Sequence, residues 1–289
     1  MSTTKTFSEI FATHKKTISF EFFPAKSAQQ QLAAQATILE LIKFNPDFIS
    51  VTHSTVQNAL ELKLTTLEFI KKNIPDLITV AHLTALNHNL QDINLILEHL
   101  KQLQISHIVA LRGDEQLQAK SAAFNYASEL VTHLKQVGGF SVAVAGYPEG
   151  HYQAVSLEAD LEFLKQKIDS GAELIITQFF LDSKLFFRFL EKTKKAGITT
   201  PILPGIILLD DLALLQSLAQ KCKVSLPPKL FNQLEKVKDN KADFAQASAD
   251  FITQMCNELL AGGAVGLHFF TLNKAEPTKT IIKNLVQSL

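Results

Sequence analysis

Short runs of β-branched and aromatic residues alternate along the chain with longer stretches whose apolar residues recur every three or four positions. The short runs predict strands at Thr17–Phe23, Asp47–Thr52, Leu77–Leu83, His107–Arg112, Ser141–Tyr147, Leu174–Phe179, Ile202–Ile206 and Val265–Phe270. The longer stretches predict amphipathic helices, as at Leu90–Leu103 with Ile93, Ile96, Leu97 and Leu100, and at Leu157–Ile168 with Leu161 and Leu164 between. A helix follows each strand, the mark of repeated βα units on a parallel sheet. With no linker rich in Pro, Ser or Gly and no charge run, these units predict an α/β fold of one kind, a single (β/α)8 TIM barrel spanning 1–289 as one catalytic domain. An open Rossmann-like sheet is the competing topology, but the chain contains no GxGxxG. Spacing is irregular only at about 207–263, where Leu212–Leu218, a Pro227–Pro228 turn, Leu230–Val237 and Ala242–Leu260 predict a decorated connection. A short helix near Phe7–Thr13 is expected to cap the barrel bottom or pack outside it.

Composition narrows the partners. Over 289 residues, 46% are apolar and 19% charged, enough to bury a large core. Lys plus Arg and Asp plus Glu balance at 28 each, so the chain lacks the basic footprint of a nucleic-acid binder. The first sixteen or so residues show no secretory apolar core, and no run approaches the roughly 18 apolar residues of a membrane span, so a cytoplasmic protein with no membrane partner is expected. Cys222 and Cys256 have no CxxC spacing and read as buried or incidental thiols. His53, His82 and His88 sit on separate strand ends or in a loop without HExxH, so no metal is expected. The absence of GxxxxGK[ST] gives no sign of nucleotide hydrolysis.

In a barrel whose interior is filled by apolar side chains, a polar residue at a strand end either caps the next helix or belongs to a site. Nearly every predicted strand ends in one: Glu21, Thr52, His82, Arg112 with Asp114, Tyr147 with His151, Gln178, and Lys274 beyond the last strand. Glu21 is the sharpest, because alternation along Ile18–Phe23 puts Ser19, Glu21 and Phe23 on one face. A carboxyl flanked by phenylalanines loses hydration, which favours its protonated form and suits a general acid; a structural pair with an inward cation is the bland reading. Arg112–Gly113–Asp114 is either a plain turn or a place where glycine admits a ligand, with a cation for phosphate and a carboxylate for a ring N–H. Asp160 and Lys167 fall seven residues apart on one helix face, and the Gln178 carboxamide can donate and accept towards a heterocycle or cap its own strand.

The motifs Phe20–Pro24, Ala81–Thr84, Leu111–Asp114, Gly146–His151, Thr177–Phe180, Leu203–Ile206 and His268–Asn273, in that order over essentially the whole chain, resemble bacterial methylenetetrahydrofolate reductases. The resemblance implies a flavin-dependent barrel. Reduced nicotinamide, NADH or NADPH, passes hydride to FAD, and 5,10-methylenetetrahydrofolate becomes 5-methyltetrahydrofolate, in one-carbon metabolism and methionine biosynthesis. It implies that Glu21 protonates the folate N10, that Asp114 lies between flavin and pterin, and that Gln178 and Lys274 bind substrate. It also implies cofactor contacts from Thr52, His53, Thr55, His82, Arg112, Gly113, Asp114, Ala127, Tyr147, His151, Asp160 and Lys167, and a homo-oligomer.

The chain departs from that family at several positions. Thr52–Val56 replaces a small Gly/Ala-rich turn, Phe163 stands where a polar residue contacts the cofactor, and Gln166 replaces a basic residue. Lys274 stands where an arginine is common, and Leu218 is nearest to an aromatic that covers the folate. The competing readings are a flavin-free methylenetetrahydrofolate reductase and a non-catalytic barrel that binds pterin or flavin.

Overall fold

The computed structural model of the chain describes residues 5–13, 15–25, 27–52, 59–86, 88–114 and 122–285. Eight parallel strands close into a barrel in chain order, β1 (Thr17–Phe22), β2 (Phe48–Val51), β3 (Ile78–Thr84), β4 (His107–Leu111), β5 (Ser141–Gly146), β6 (Leu174–Phe179), β7 (Ile202–Ile207) and β8 (Gly266–Phe270), with β8 pairing β1. Each predicted strand is present, its ends moved by a residue or so. The helices are α1 (Phe7–Phe11), α2 (Ala28–Leu41), α3 (Ala59–Asn73), α4 (Leu90–Gln102), α5 (Ala127–Val137), α6 (Leu157–Asp169), α7 (Ser183–Lys195), α8 (Leu212–Cys222), α9 (Pro228–Glu235), α10 (Lys241–Ala261) and α11 (Ala275–Leu285). Both cysteines are free thiols, and no described helix is long and apolar enough to cross a membrane.

Two apolar cores follow from the strand alternation. Outward residues such as Phe20, Phe22, Ile49, Val51, Leu83, Ile108 and Val142 pack with the helices in one cluster. Inward residues Phe48, Val80, Val109, Ala143, Leu174, Ile176 and Leu203 form a second cluster inside the barrel. Burial on both faces explains why these strands read as near-continuous apolar runs. The lower end is plugged by α1. Phe7 is fully buried, meets Phe48 and His107 edge-on at 5.6 and 4.8 Å, and donates its backbone N–H to Ser141 Oγ at 2.8 Å. Capping the bottom, rather than packing outside, is therefore the role of this helix. The Thr6 hydroxyl and Glu9 carboxylate close its first turn as a capping box.

The plug seals the lower end, so the barrel opens at its C-terminal mouth. Above the apolar layer the inward positions turn polar, with Ser19, Ser50 and His268, then Glu21, Thr52 and His82, all buried. The β7 to β8 connection, predicted as decorated, contains α8, α9 and α10 and folds back over the rim. Lys223 Nζ donates to Tyr152 O at 3.1 Å, and the Ser225 N–H to the Glu149 carboxylate at 3.0 Å, so the segment after α8 reaches the loop that follows β5.

Candidate active site

Glu21 sits one residue from the end of β1, in register with Ser50 on one side and Phe270 on the other. Its neighbours are not the phenylalanines beside it in the chain. Phe20 and Phe22 face the helices, and the carboxyl instead meets two imidazoles: Oε2 lies 3.3 Å from His82 Nε2 and 3.5 Å from His268 Nε2. Among the described residues the ion-pair partners of the carboxyl are these two imidazoles. Burial drives the His82 pKa down to about 4 against the pull of Glu21, and His268 and Lys63 push the same way. His82 is thus neutral near pH 7, and its contact with Glu21 is between a carboxyl and a neutral ring.

The second ring is oriented from behind. His268 Nδ1 lies 2.7 Å from Ser19 Oγ, which also approaches Leu267 O at 3.5 Å, while Phe48 stacks at 5.7 Å and Phe270 meets the ring edge-on at 5.3 Å. The contact through Nδ1 turns Nε2 towards the carboxyl. Behind β3 the fully buried Lys63 of α3 donates to the His82 carbonyl at 3.1 Å, and burial lowers its pKa to about 8. Ser50 Oγ, Thr52 Oγ1, His82 Nε2 and His268 Nε2 are buried and make no aligned hydrogen bond to described residues. Such a set of unmatched polar atoms around one carboxyl fits a polar ligand.

A second group gathers over β4 and β5. Gly113 adopts φ 85°, and a Cβ there would come 3.0 Å from Thr84 Cβ, so a bare backbone follows β4. Arg112 donates from Nε to Asn125 O at 3.3 Å and from a terminal nitrogen to Gln153 Oε1 at 2.7 Å. The Tyr147 ring meets His151 edge-on at 4.6 Å, and burial, then Asp160 and Asp114, push its hydroxyl pKa up. Burial lowers the His151 pKa, helped by Lys167 and Arg112. Burial raises the pKa of Asp160, opposed by Lys167. Lys167 donates to Ala145 O at 2.6 Å with its Nζ 5.8 Å from the Tyr147 ring centroid, and burial lowers its pKa to about 8. Arg112 and Lys167 suit a pyrophosphate, Asp160 a ribose hydroxyl, and the bare Gly113 turn a close-lying heterocycle, so the residues present fit a flavin dinucleotide.

The remaining predicted residues that are described fall around the same mouth. Thr52 follows β2 directly, and Ala127 is the first residue of α5. Gln178 stands near the end of β6, as Glu21 does in β1, with its Oε1 accepting the Phe179 N–H at 3.0 Å. Asp114 is exposed on the turn after β4. His53 and Thr55 lie outside the described residues. Lys274 is engaged by the Asp210 carboxylate, where a groove of about 790 Å³ between α8, α10 and α11 meets the rim. His268, Ser19, Lys63 and Asp210 were not among the predicted site residues. Alternation in β8 could have flagged His268 and that in β1 Ser19, whereas no local pattern marks Lys63 or Asp210.

A closed parallel barrel, plugged below and carrying a histidine-flanked carboxyl beside a cationic rim, defines a TIM barrel equipped to move a proton next to an anionic, heterocyclic ligand. The chain belongs to the methylenetetrahydrofolate reductase family, whose model matches residues 6–286. It is 33% identical over 268 residues to the 5,10-methylenetetrahydrofolate reductase of Escherichia coli (strain K12), covering 93% of this chain and 90% of that protein. It is also 33% identical over 285 residues to methylenetetrahydrofolate reductase (NADH) 1 of Arabidopsis thaliana, covering 92% and 48% respectively. The chain thus spans about half the length of its plant relatives and about nine-tenths of the bacterial ones. Among solved structures, an uncharacterized Clostridium thermocellum protein that binds two copies of 5-methyl-5,6,7,8-tetrahydrofolic acid shares the fold, with TM-score 0.64 and 13% identity over 98% of this chain and 99% of that one. A Xanthomonas albilineans dihydropteroate synthase shares it more distantly, with TM-score 0.51 and 14% identity over 95% and 94%.

Proposed function

We propose that this chain is a flavin-dependent oxidoreductase that reduces 5,10-methylenetetrahydrofolate to 5-methyltetrahydrofolate with NADH or NADPH as electron donor. The observation that carries this reading is the buried Glu21 carboxyl between His82 and His268 at the open mouth of the barrel, in a chain of this family. FAD, when bound, supplies the hydride carrier between nicotinamide and folate. Arg112, Lys167, Asp160, Tyr147, His151, Ala127, Thr52 and the Gly113 turn would hold it. Of the proposed contacts at His53 and Thr55, only the resemblance speaks.

In this reading Glu21 holds a proton and gives it to folate N10, which opens the methylene bridge. The neutral His82 ring beside it adds no charge, so the carboxyl meets the substrate without competition from an imidazolium. Ser19 orients the His268 ring so that its Nε2 faces the carboxyl. Asp114 and Gln178 bind the pterin edge, and Lys274 lies at the groove that would take the substrate's carboxylate tail.

The test is a visible spectrum of the purified protein, followed by bleaching with NADH and return of colour on adding methylenetetrahydrofolate. Glu21→Gln should lose folate reduction while NADH oxidation by an artificial flavin acceptor persists. Unchanged folate turnover in that variant would remove Glu21 from the chemistry. A colourless protein that binds no added FAD yet reduces the folate with NADH would establish direct hydride transfer instead.

A further inference from the structure

We infer that Lys63 is a positioning residue for the proton donor: from behind β3 its ammonium holds the His82 backbone and keeps on the Glu21 carboxyl a proton that His82 could otherwise take. The buried stripe of α3 consists of Lys63, Thr66, Leu67 and Ile70, at the three- and four-residue spacing of a helix face that packs on the barrel. Lys63 therefore takes a place that this pattern reserves for an apolar side chain. An ammonium has three hydrogens to donate, and among the described residues one acceptor meets it, the His82 carbonyl at 3.1 Å. A buried lysine so sparsely matched costs stability against an apolar residue of its length, and charges held in such places gather at functional sites.

The residue that it meets decides what the lysine can do. Lys63 touches His82 at the backbone, on the helix side of β3, whereas Glu21 lies 3.3 Å from the tip of the same residue's ring, inside the barrel. A proton moving from Glu21 to His82 would carry positive charge towards Lys63. Like charges repel strongly in a dry interior, so the lysine favours a carboxyl beside a neutral imidazole over a carboxylate beside an imidazolium. Burial and His268 act in the same direction on His82, and Glu21 acts against them. Lys63 also disfavours the charged form of His88, on the turn after β3. The other elements packed on α3 add little charge. Strand β2 has no titratable residue, Glu40 of α2 is paired with Lys279, and Glu61 and Glu68 of α3 itself are exposed.

The inference rests on the reading of Glu21 as proton donor, and the measurements separate the two. Lys63→Met is compared with the wild type and with Lys63→Gln, which keeps a donor but not the charge. Histidine titrations are followed by NMR of isotope-labelled protein, with the His82 signal assigned from its loss in His82→Asn. The wild-type ring should titrate at about 4. In both Lys63 variants the imidazolium should form about one pH unit higher, the effect of one charge acting across a side chain. The kcat for methylenetetrahydrofolate reduction should fall about threefold or more at pH 7 with KM little changed, while NADH oxidation by an artificial acceptor persists. That deficit should shrink above about pH 8, where wild-type Lys63 gives up its own proton. A His82 titration that stays in place in both variants, or moves in Lys63→Met alone, overturns the role of the charge, as does a kcat deficit equal at pH 7 and pH 9. If Glu21→Gln leaves folate turnover unchanged, the proton-donor reading fails, and the titration decides for Lys63: a shifted His82 keeps it as the group that holds this ring neutral, and an unshifted one removes it.

Discussion

Lys63 offers a quantitative check on the polar interior. It is fully buried, its Nζ donates to the His82 carbonyl at 3.1 Å, and burial lowers its pKa from 10.5 to about 8. Below about pH 8 the lysine is protonated in both folded and unfolded chains, and the folded state carries the cost of a buried charge. Between about pH 8 and 10.5 the unfolded chain holds a proton that the folded chain has released, so stability rises with pH across that window. The gap corresponds to about 3 kcal/mol in full, of which about 2–3 kcal/mol is recovered between pH 7 and pH 10. Lys63→Met keeps the length of the side chain and removes the titration. Urea unfolding of both proteins at pH 7 and pH 10 gives two stability differences, wild type minus variant. The second should exceed the first by that amount. Tyr147, Lys167 and Cys256 also have displaced pKa values, but they are common to both proteins and cancel. The lost bond to His82 shifts both differences alike. A difference that is the same at the two pH values would mean that Lys63 is hydrated in solution and that the interior behind β3 is not dry.

Two further outcomes follow from other parts of the molecule. Phe7→Ala should cost about 3–5 kcal/mol in urea unfolding, because a fully buried aromatic leaves a cavity in the barrel plug; a loss below about 1 kcal/mol would show that α1 is dispensable. Asp210→Asn should release Lys274 from its ion pair and lower the KM for methylenetetrahydrofolate several-fold, more at low salt, with kcat unchanged; a KM that rises or stays constant would take Lys274 out of substrate binding.

Much of the architecture is legible along the chain because parallel barrel strands are local objects. Each is a short run of inward and outward apolar residues, bounded by the polar start of the next helix, and period-two alternation suffices to turn Glu21 towards the lumen. The strand ends also reveal most of the rim, since a polar group there has few other places to go. What surrounds Glu21 is a different matter. The sequence shows phenylalanines on either side, yet the barrel sends those outward and brings in His82 from β3 and His268 from β8.

The contacts that set the chemistry join residues far apart in the chain. Ser19 meets His268 across 249 positions, and Lys274 finds Asp210 across 64. Composition and periodicity thus determined the eight βα units and the inward face of β1, because those depend on nearest neighbours in one strand or helix. Only barrel closure decided which side chains share a layer, because the stagger of each strand against the next sets which inward residues meet. The same closure left Lys63 dry and Tyr126 wet, although neither residue differs locally from many others of its kind.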